Sequence, residues 1–107
     1  MQIEISHRNG RIPMALSEFI HRRMSFAFER FEHQIRFIEC QLCDVNGPKG
    51  GVDQAVQLIV HMDRTSDVII KQTSDSIYTA IANAVDRASY NIAKTLQRRL
   101  AMRVSRS

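Results

Sequence analysis

The segment Gln54-Ala55-Val56-Gln57-Leu58-Ile59-Val60-His61-Met62, then Asp63-Arg64-Thr65-Ser66, then Asp67-Val68-Ile69-Ile70-Lys71-Gln72-Thr73, decides the fold. Both apolar runs are short, rich in β-branched residues and separated by turn-forming side chains, which predicts two neighbouring strands. Directly afterwards the apolar period changes from that of a strand to that of a helix. Ile77, Ile81, Ala84, Val85, Ala88, Ile92, Thr95 and Leu96, with Arg99 at the end, form one inward stripe. Ser74 or Asp75 is the expected cap, and the helix should reach at least Leu100.

Upstream, Ile35-Arg36-Phe37-Ile38-Glu39-Cys40-Gln41-Leu42-Cys43-Asp44 reads as another strand whose alternation slips at Phe37-Ile38, where a bulge would restore facing. The loop Asn46-Gly47-Pro48-Lys49-Gly50-Gly51 joins it to the next strand and completes a three-stranded meander. After Pro13, the residues Leu16, Ile20, Met24, Ala27 and Phe31 recur at helical spacing, predicting a helix of about five turns. Ile3 and Ile5 alternate with Gln2, Glu4 and Ser6 in a short opening strand. The order β-α-β-β-β-α is an α+β layer, a four-stranded sheet with two helices packed on one face, similar in plan to a double-stranded-RNA-binding domain.

With 107 residues and 44% hydrophobic side chains, the chain suits one core. A single domain over residues 1–101 is expected, followed by a basic tail at 102–107 that frays. The opening residues lack the charged start and continuous apolar run of a secretory signal, and no stretch is membrane-length, so a cytoplasmic location is expected.

Charge is unevenly distributed. Beyond residue 75 stand six basic side chains against Asp86 alone, a net of +5, whereas residues 1–75 sum to −1. Such asymmetry fits a polyanionic partner, whose released counterions supply affinity, and equally fits a solvated helix end. Spacing separates the two. Arg87, Asn91, Lys94 and Arg98 are four, three and four apart, so they stack in one stripe about 110° from the apolar stripe, bordered by Asn83 and Tyr90. On the first helix Arg23 and Arg30 lie two turns apart beside Phe19 and Phe26, with Arg22 farther out. Phenylalanines beside arginines can stack on unpaired bases. Phe19 and Phe28 read better as core, while the position of Phe26, about 120° from the core stripe, leaves both readings open.

Other residues speak against catalysis. Cys40 and Cys43 have redox or zinc spacing, but on a strand they point to opposite faces, so free thiols are expected, at least one in the core. His7, His21, His33 and His61 belong to different elements and show no metal spacing. Glu29 and Glu32 are expected to solvate the surface and to pair locally with Arg30 or Arg36. The glycine-rich loop lacks a following Gly-Lys-Ser/Thr and joins strands, which argues for a hairpin-like connection in which Lys49 can still touch an RNA backbone. No enzyme activity, metal or other cofactor, small-molecule substrate or membrane partner is expected.

Residues 2–100 resemble the ribosome hibernation-promoting factor and ribosome-associated inhibitor family, also called sigma-54 modulation proteins. The likeness is carried by Ala15-Leu16-Ser17-Glu18-Phe19-Ile20, Phe28-Glu29-Arg30-Phe31 and Asp44-Val45-Asn46-Gly47-Pro48-Lys49-Gly50-Gly51. Its most specific part runs from Asp75-Ser76-Ile77-Tyr78-Thr79-Ala80-Ile81 through Ala82-Asn83-Ala84-Val85-Asp86-Arg87 to Lys94, Arg98 and Arg99.

The resemblance implies the same element order and binding to small-subunit rRNA in the channel between head and body, where mRNA and tRNA would sit. It places the RNA contacts at Arg22, Arg23 and Arg30 and at Arg87, Lys94 and Arg98, and helical spacing adds Asn91 to the expected RNA-binding set. Ala82 stands where many relatives carry an Asp, and Asn91 interrupts the basic stripe, so a lower affinity is expected. Short-form behaviour is implied, without the additional domain through which long-form members join two ribosomes. Apolar Phe26 and the exposed edge of a four-stranded sheet fit a monomer or weak homodimer as the free state. Rival readings are a general double-stranded-RNA binder, a protein-interaction module acting on a sigma factor, and an enzyme whose site the sequence does not display.

Overall fold

The computed structural model describes the backbone of residues 1–46 and 51–105 and side chains through Ala101. The loop positions Gly47, Pro48, Lys49 and Gly50 lie outside the described residues. The elements are β1 (Gln2–His7), α1 (Met14–Phe28), a 3-10 segment (Glu29–Gln34), β2 (Ile35–Asn46), β3 (Val52–Met62), β4 (Val68–Ser74) and α2 (Ile77–Ser105). The expected β-α-β-β-β-α order is therefore the observed one.

The sheet order is β1-β2-β3-β4, with β1 parallel to β2 and the rest antiparallel. A parallel pair requires a crossover, which α1 and the 3-10 segment provide. Register lines up the apolar rows. Ile3, Ile38, Val60 and Val68 form one cross-strand row, and Ile5, Cys40, Leu58 and Ile70 the next. Against this face pack Leu16, Ile20, Met24 and Phe28 of α1 and Ala80, Ile81, Ala84, Val85, Ala88 and Ile92 of α2. None of these ten side chains is more than 5% exposed. Among the described residues no polar side chain is fully buried, so the core is held by apolar burial and backbone pairing.

Four local expectations need correction. First, α1 ends at Phe28, and its buried stripe is Leu16, Ile20, Met24 and Phe28, with Ala27 only half-buried. The tighter 3-10 winding that follows turns Phe31 inward as well, so one regular helix is not needed to bury it. Second, the irregularity in β2 falls between Ile35 and Phe37, which pair with Met62 and His61. Arg36 is the extra residue, and its charge keeps it in solvent while Ile35 and Ile38 both face the core. Third, the Ser76 hydroxyl accepts the Thr79 N–H at 3.5 Å, capping α2 in place of Ser74 or Asp75, while Ser74 Oγ instead accepts the Ser76 N–H. Fourth, Glu29 and Glu32 form no ion pair with Arg30 or Arg36.

Both cysteines are free, with Cys40 in the core and Cys43 half-buried, as opposite strand faces require. Burial pushes the Cys40 thiol up to about 12, so it stays protonated and unreactive. The loop from β1 to α1 is tethered to β2 by Asn9, whose Oδ1 accepts the Asp44 N–H at 3.0 Å and whose Nδ2 donates to the Asp44 carbonyl at 3.2 Å. Gly10 fits that loop because a Cβ there would come within 2.8 Å of the His7 ring.

On the open sheet face His61 bridges two carboxylates. Its Nε2 lies 2.7 Å from Glu39 Oε2 and its Nδ1 3.0 Å from Asp67 Oδ2, with the ring stacked on Phe37. Asp67 also accepts the Met62 N–H, which clamps the turn in which Arg64 takes a φ of 64°. The hydrogen bond to Glu39, reinforced by Asp67, raises the His61 pKa above its ordinary value against the opposing effect of desolvation. The folded pKa thus exceeds the unfolded one. The imidazolium's stabilisation is complete below the unfolded value near 6.5 and is lost as pH rises through the raised folded value. The melting-temperature difference between wild type and His61→Gln is therefore expected to be largest in mild acid and to shrink above neutrality. A difference independent of pH would show that the imidazolium does not hold this turn.

Candidate nucleic-acid interface

The helical layer carries Arg22, Arg23 and Arg30 and the Arg87–Arg98 stripe on its outer side, because the opposite faces of α1 and α2 are committed to the core. Arg23 and Phe26 of α1 and Arg30 of the 3-10 segment lie on the flank that turns toward α2. They line a groove with Ala27 of α1 and with Asp86 and Ser89 of α2. Arg23 Nη2 is 3.7 Å from Asp86 Oδ1, with Arg23 half-buried and Asp86 exposed, so the long contact is open to solvent and weak. Arg30 lies with its guanidinium carbon 4.5 Å from the Phe31 ring centroid and its Nη2 3.5 Å from Ser89 Oγ. Arg22 is exposed on the outer shoulder of α1.

On α2, Arg87, Lys94 and Arg98 are exposed and Asn91 is half-buried. This stripe does not face α1. Arg87 Nη1 donates to the Lys71 carbonyl and to Gln72 Oε1, both at 2.9 Å, placing it over the free edge of β4. That contact satisfies an edge carbonyl and hinders another strand from pairing there. The guanidinium has five N–H donors, so donors remain for a phosphate. Lys94 Nζ sits 5.9 Å from the centroid of the Tyr90 ring.

Sequence reasoning found the stripe and the α1 patch but could not relate them. Helical geometry puts the α1-facing residues Asp86 and Ser89 roughly 140° around the α2 axis from the Arg87–Arg98 stripe. Between the two runs the exposed outer ridge of α2, with Asn83, Tyr90 and Gln97. The patches therefore straddle α2, and a single ligand must pass over that ridge to touch both. Arg36, exposed at the β2 irregularity, is a further cation that spacing along either helix could not reveal.

Elsewhere, a trough of about 650 Å³ crosses the open sheet face, lined among others by Gln41, Cys43, Gln57, Lys71 and Thr73. Neither Cys40 nor His61, whose pKa values shift, lines it. Among the described residues no three His, Cys, Asp or Glu side chains converge as metal ligands, and no helix is long and apolar enough to cross a membrane.

Fold and surface together define a small α+β domain that displays two basic patches on its helical layer. The chain belongs to the sigma-54 modulation protein / S30EA ribosomal protein family, whose model matches residues 3–100. The N-terminal domain of Protein Y from Thermus thermophilus superposes with a TM-score of 0.72 at 19% identity, covering 88% of this chain and 98% of that one. A ribosomal subunit interface protein from Coxiella burnetii gives 0.72 at 18% identity, with 88% and 96% covered. At such identities the likeness establishes the shared fold. No curated protein matches the chain by sequence.

Proposed function

We propose that this domain is a ribosome hibernation factor that binds small-subunit rRNA in the decoding channel and excludes mRNA and tRNA by occupying their place. The observation that carries this reading is the exposed basic layer astride α2, in a chain of a family described by a ribosomal protein. The Coxiella burnetii relative, a ribosomal subunit interface protein, points the same way. Residues 1–101 act as the binding unit and 102–107 add a basic tail. Arg22, Arg23 and Arg30 take phosphates on one side of the α2 ridge, and Arg87, Lys94 and Arg98 on the other, with Asn91 as a neutral hydrogen-bonding member. The mechanism is steric and calls for no bond making or breaking. Two patches divided by a ridge suit a folded channel wall that wraps the domain, better than the single flat contact of one duplex.

Cosedimentation of the purified protein with small subunits at low and high salt tests it. Binding is expected at low salt and should fall steeply as salt rises, since each phosphate contact releases counterions. mRNA and tRNA should compete. Absence of cosedimentation at low salt removes the reading, and a short RNA duplex bound as tightly as the subunit favours general duplex recognition instead.

A further inference from the structure

We propose that Phe26 is a stacking platform for an unpaired nucleobase, so that the α1 shoulder selects single-stranded over fully paired RNA. This rests on the helical layer being an RNA interface and adds a chemical class of ligand at one place on it. Phe26 is 89% exposed, more than any other large hydrophobic side chain among the described residues. The core does not use it. Leu16, Ile20, Met24 and Phe28 complete the buried stripe of α1, and Phe19 is taken up edge-on against Tyr78.

The surroundings of Phe26 identify the occupant. Arg23 lies three residues before it and Arg30 four after, and the three share one groove wall. The spacing from Arg23 to Phe26 puts those side chains about 5–6 Å apart on a helix, and the 3-10 winding after Phe28 brings Arg30 to the same groove, so the three sit within reach of one nucleotide and its neighbours. A base lying on the phenyl face would bring its flanking phosphates to those guanidinium groups. Arg30 is already held by Ser89 and the Phe31 ring, which limits the ordering needed on binding. A second copy of this chain is a poorer occupant, because a Phe26-to-Phe26 contact would face Arg22, Arg23 and Arg30 with their own counterparts. A duplex offers no free base face along its length, whereas stacking on an unpaired base tolerates any sequence.

The protein contains no tryptophan, so Phe26→Trp introduces a single indole reporter. Three probes are needed: a short unstructured single-stranded RNA, the same strand annealed to its complement, and the same backbone carrying abasic sites. Phe26→Trp emission should be quenched by the single strand and not by the abasic backbone. Phe26→Ala and Phe26→Leu should weaken single-strand binding by about 5-fold to 100-fold with an unchanged salt slope. Phe26→Tyr should restore it, and duplex and abasic binding should be the same in all variants. Equal single-strand affinity of wild type and Phe26→Ala overturns the proposal. So does an equal loss on the abasic backbone, or a change confined to self-association of the free protein in sedimentation equilibrium. If wild type binds the single strand through Phe26 but never small subunits, the ribosome reading fails and this one stands; if subunits bind regardless of Phe26 and the single strand is indifferent to it, only this one fails.

Discussion

Alanine at Arg22, Arg30, Lys94 and Arg98 together is expected to weaken small-subunit binding about a hundredfold to a thousandfold near 0.1 M salt, with little change in thermal unfolding. Removing four phosphate contacts should also flatten the plot of log affinity against log salt by roughly 3. These four are chosen because all are exposed and, among the described residues, none forms an ion pair; Arg30's single 3.5 Å contact with the Ser89 hydroxyl is exposed and adds little to stability. Arg23 is omitted for its pairing with Asp86, and Arg87 because its alanine variant would also strip two hydrogen bonds from β4. Losing that edge contact costs about 1 kcal/mol, so an Arg87 defect would mix folding with binding. The pairs should also be separable. Arg22 with Arg30, and Lys94 with Arg98, lie on different sides of the α2 ridge, so each pair should lower the salt slope by a similar amount. Retention of full affinity and slope in the fourfold variant would exclude the helical layer as the contact surface.

Phe28→Ala should destabilise the domain by about 3–5 kcal/mol, lowering the melting temperature by some 15–25 °C. Phe28 is fully buried where α1 gives way to the 3-10 segment, in the cluster that both helices share with the sheet. Truncation would leave a cavity that α1 cannot close, because Leu16, Ile20 and Met24 hold the same stripe against the same partners. Against a total stability of about 5–15 kcal/mol, the variant would sit near the edge of folding. Urea unfolding of Phe28→Ala beside Phe26→Ala is the measurement. The two phenylalanines are two residues apart, one buried and one exposed, so only Phe28→Ala should move the midpoint. A loss below about 1 kcal/mol would mean that the site relaxes around the missing ring.

Much of the fold was legible because apolar period is a local property. The alternation around Leu58 and Ile70 and the helical repeat from Ile77 to Ile92 named the elements and their inward faces correctly. Where winding changed, periodicity was a poorer guide. A strict helical repeat carried through Ala27 misses the 3-10 segment that brings Phe31 inward, and a slip in alternation locates the β2 irregularity only to within a residue or two. The cap moved to Ser76 because three neighbouring polar residues all suit that role by type, and only the backbone path chooses among them.

The basic stripe of α2 was visible as spacing along one helix, and the family likeness over nearly the whole chain turned it into a candidate RNA contact. The partners of those side chains were not visible. Lys71 and Gln72 meet Arg87 across 16 and 15 residues of chain, and Glu39 meets His61 from a neighbouring strand. The amino-acid sequence by itself determined the element order, the core-facing residues and the helices on which positive charge accumulates, since each follows from local period and composition. Tertiary structure alone decided that the two basic patches straddle the α2 ridge, that Arg87 covers a strand edge, and that Phe26 stands free between Arg23 and Arg30. Those outcomes depend on which side of α2 the first helix packs, and that is set by how the two helices share one face of the sheet.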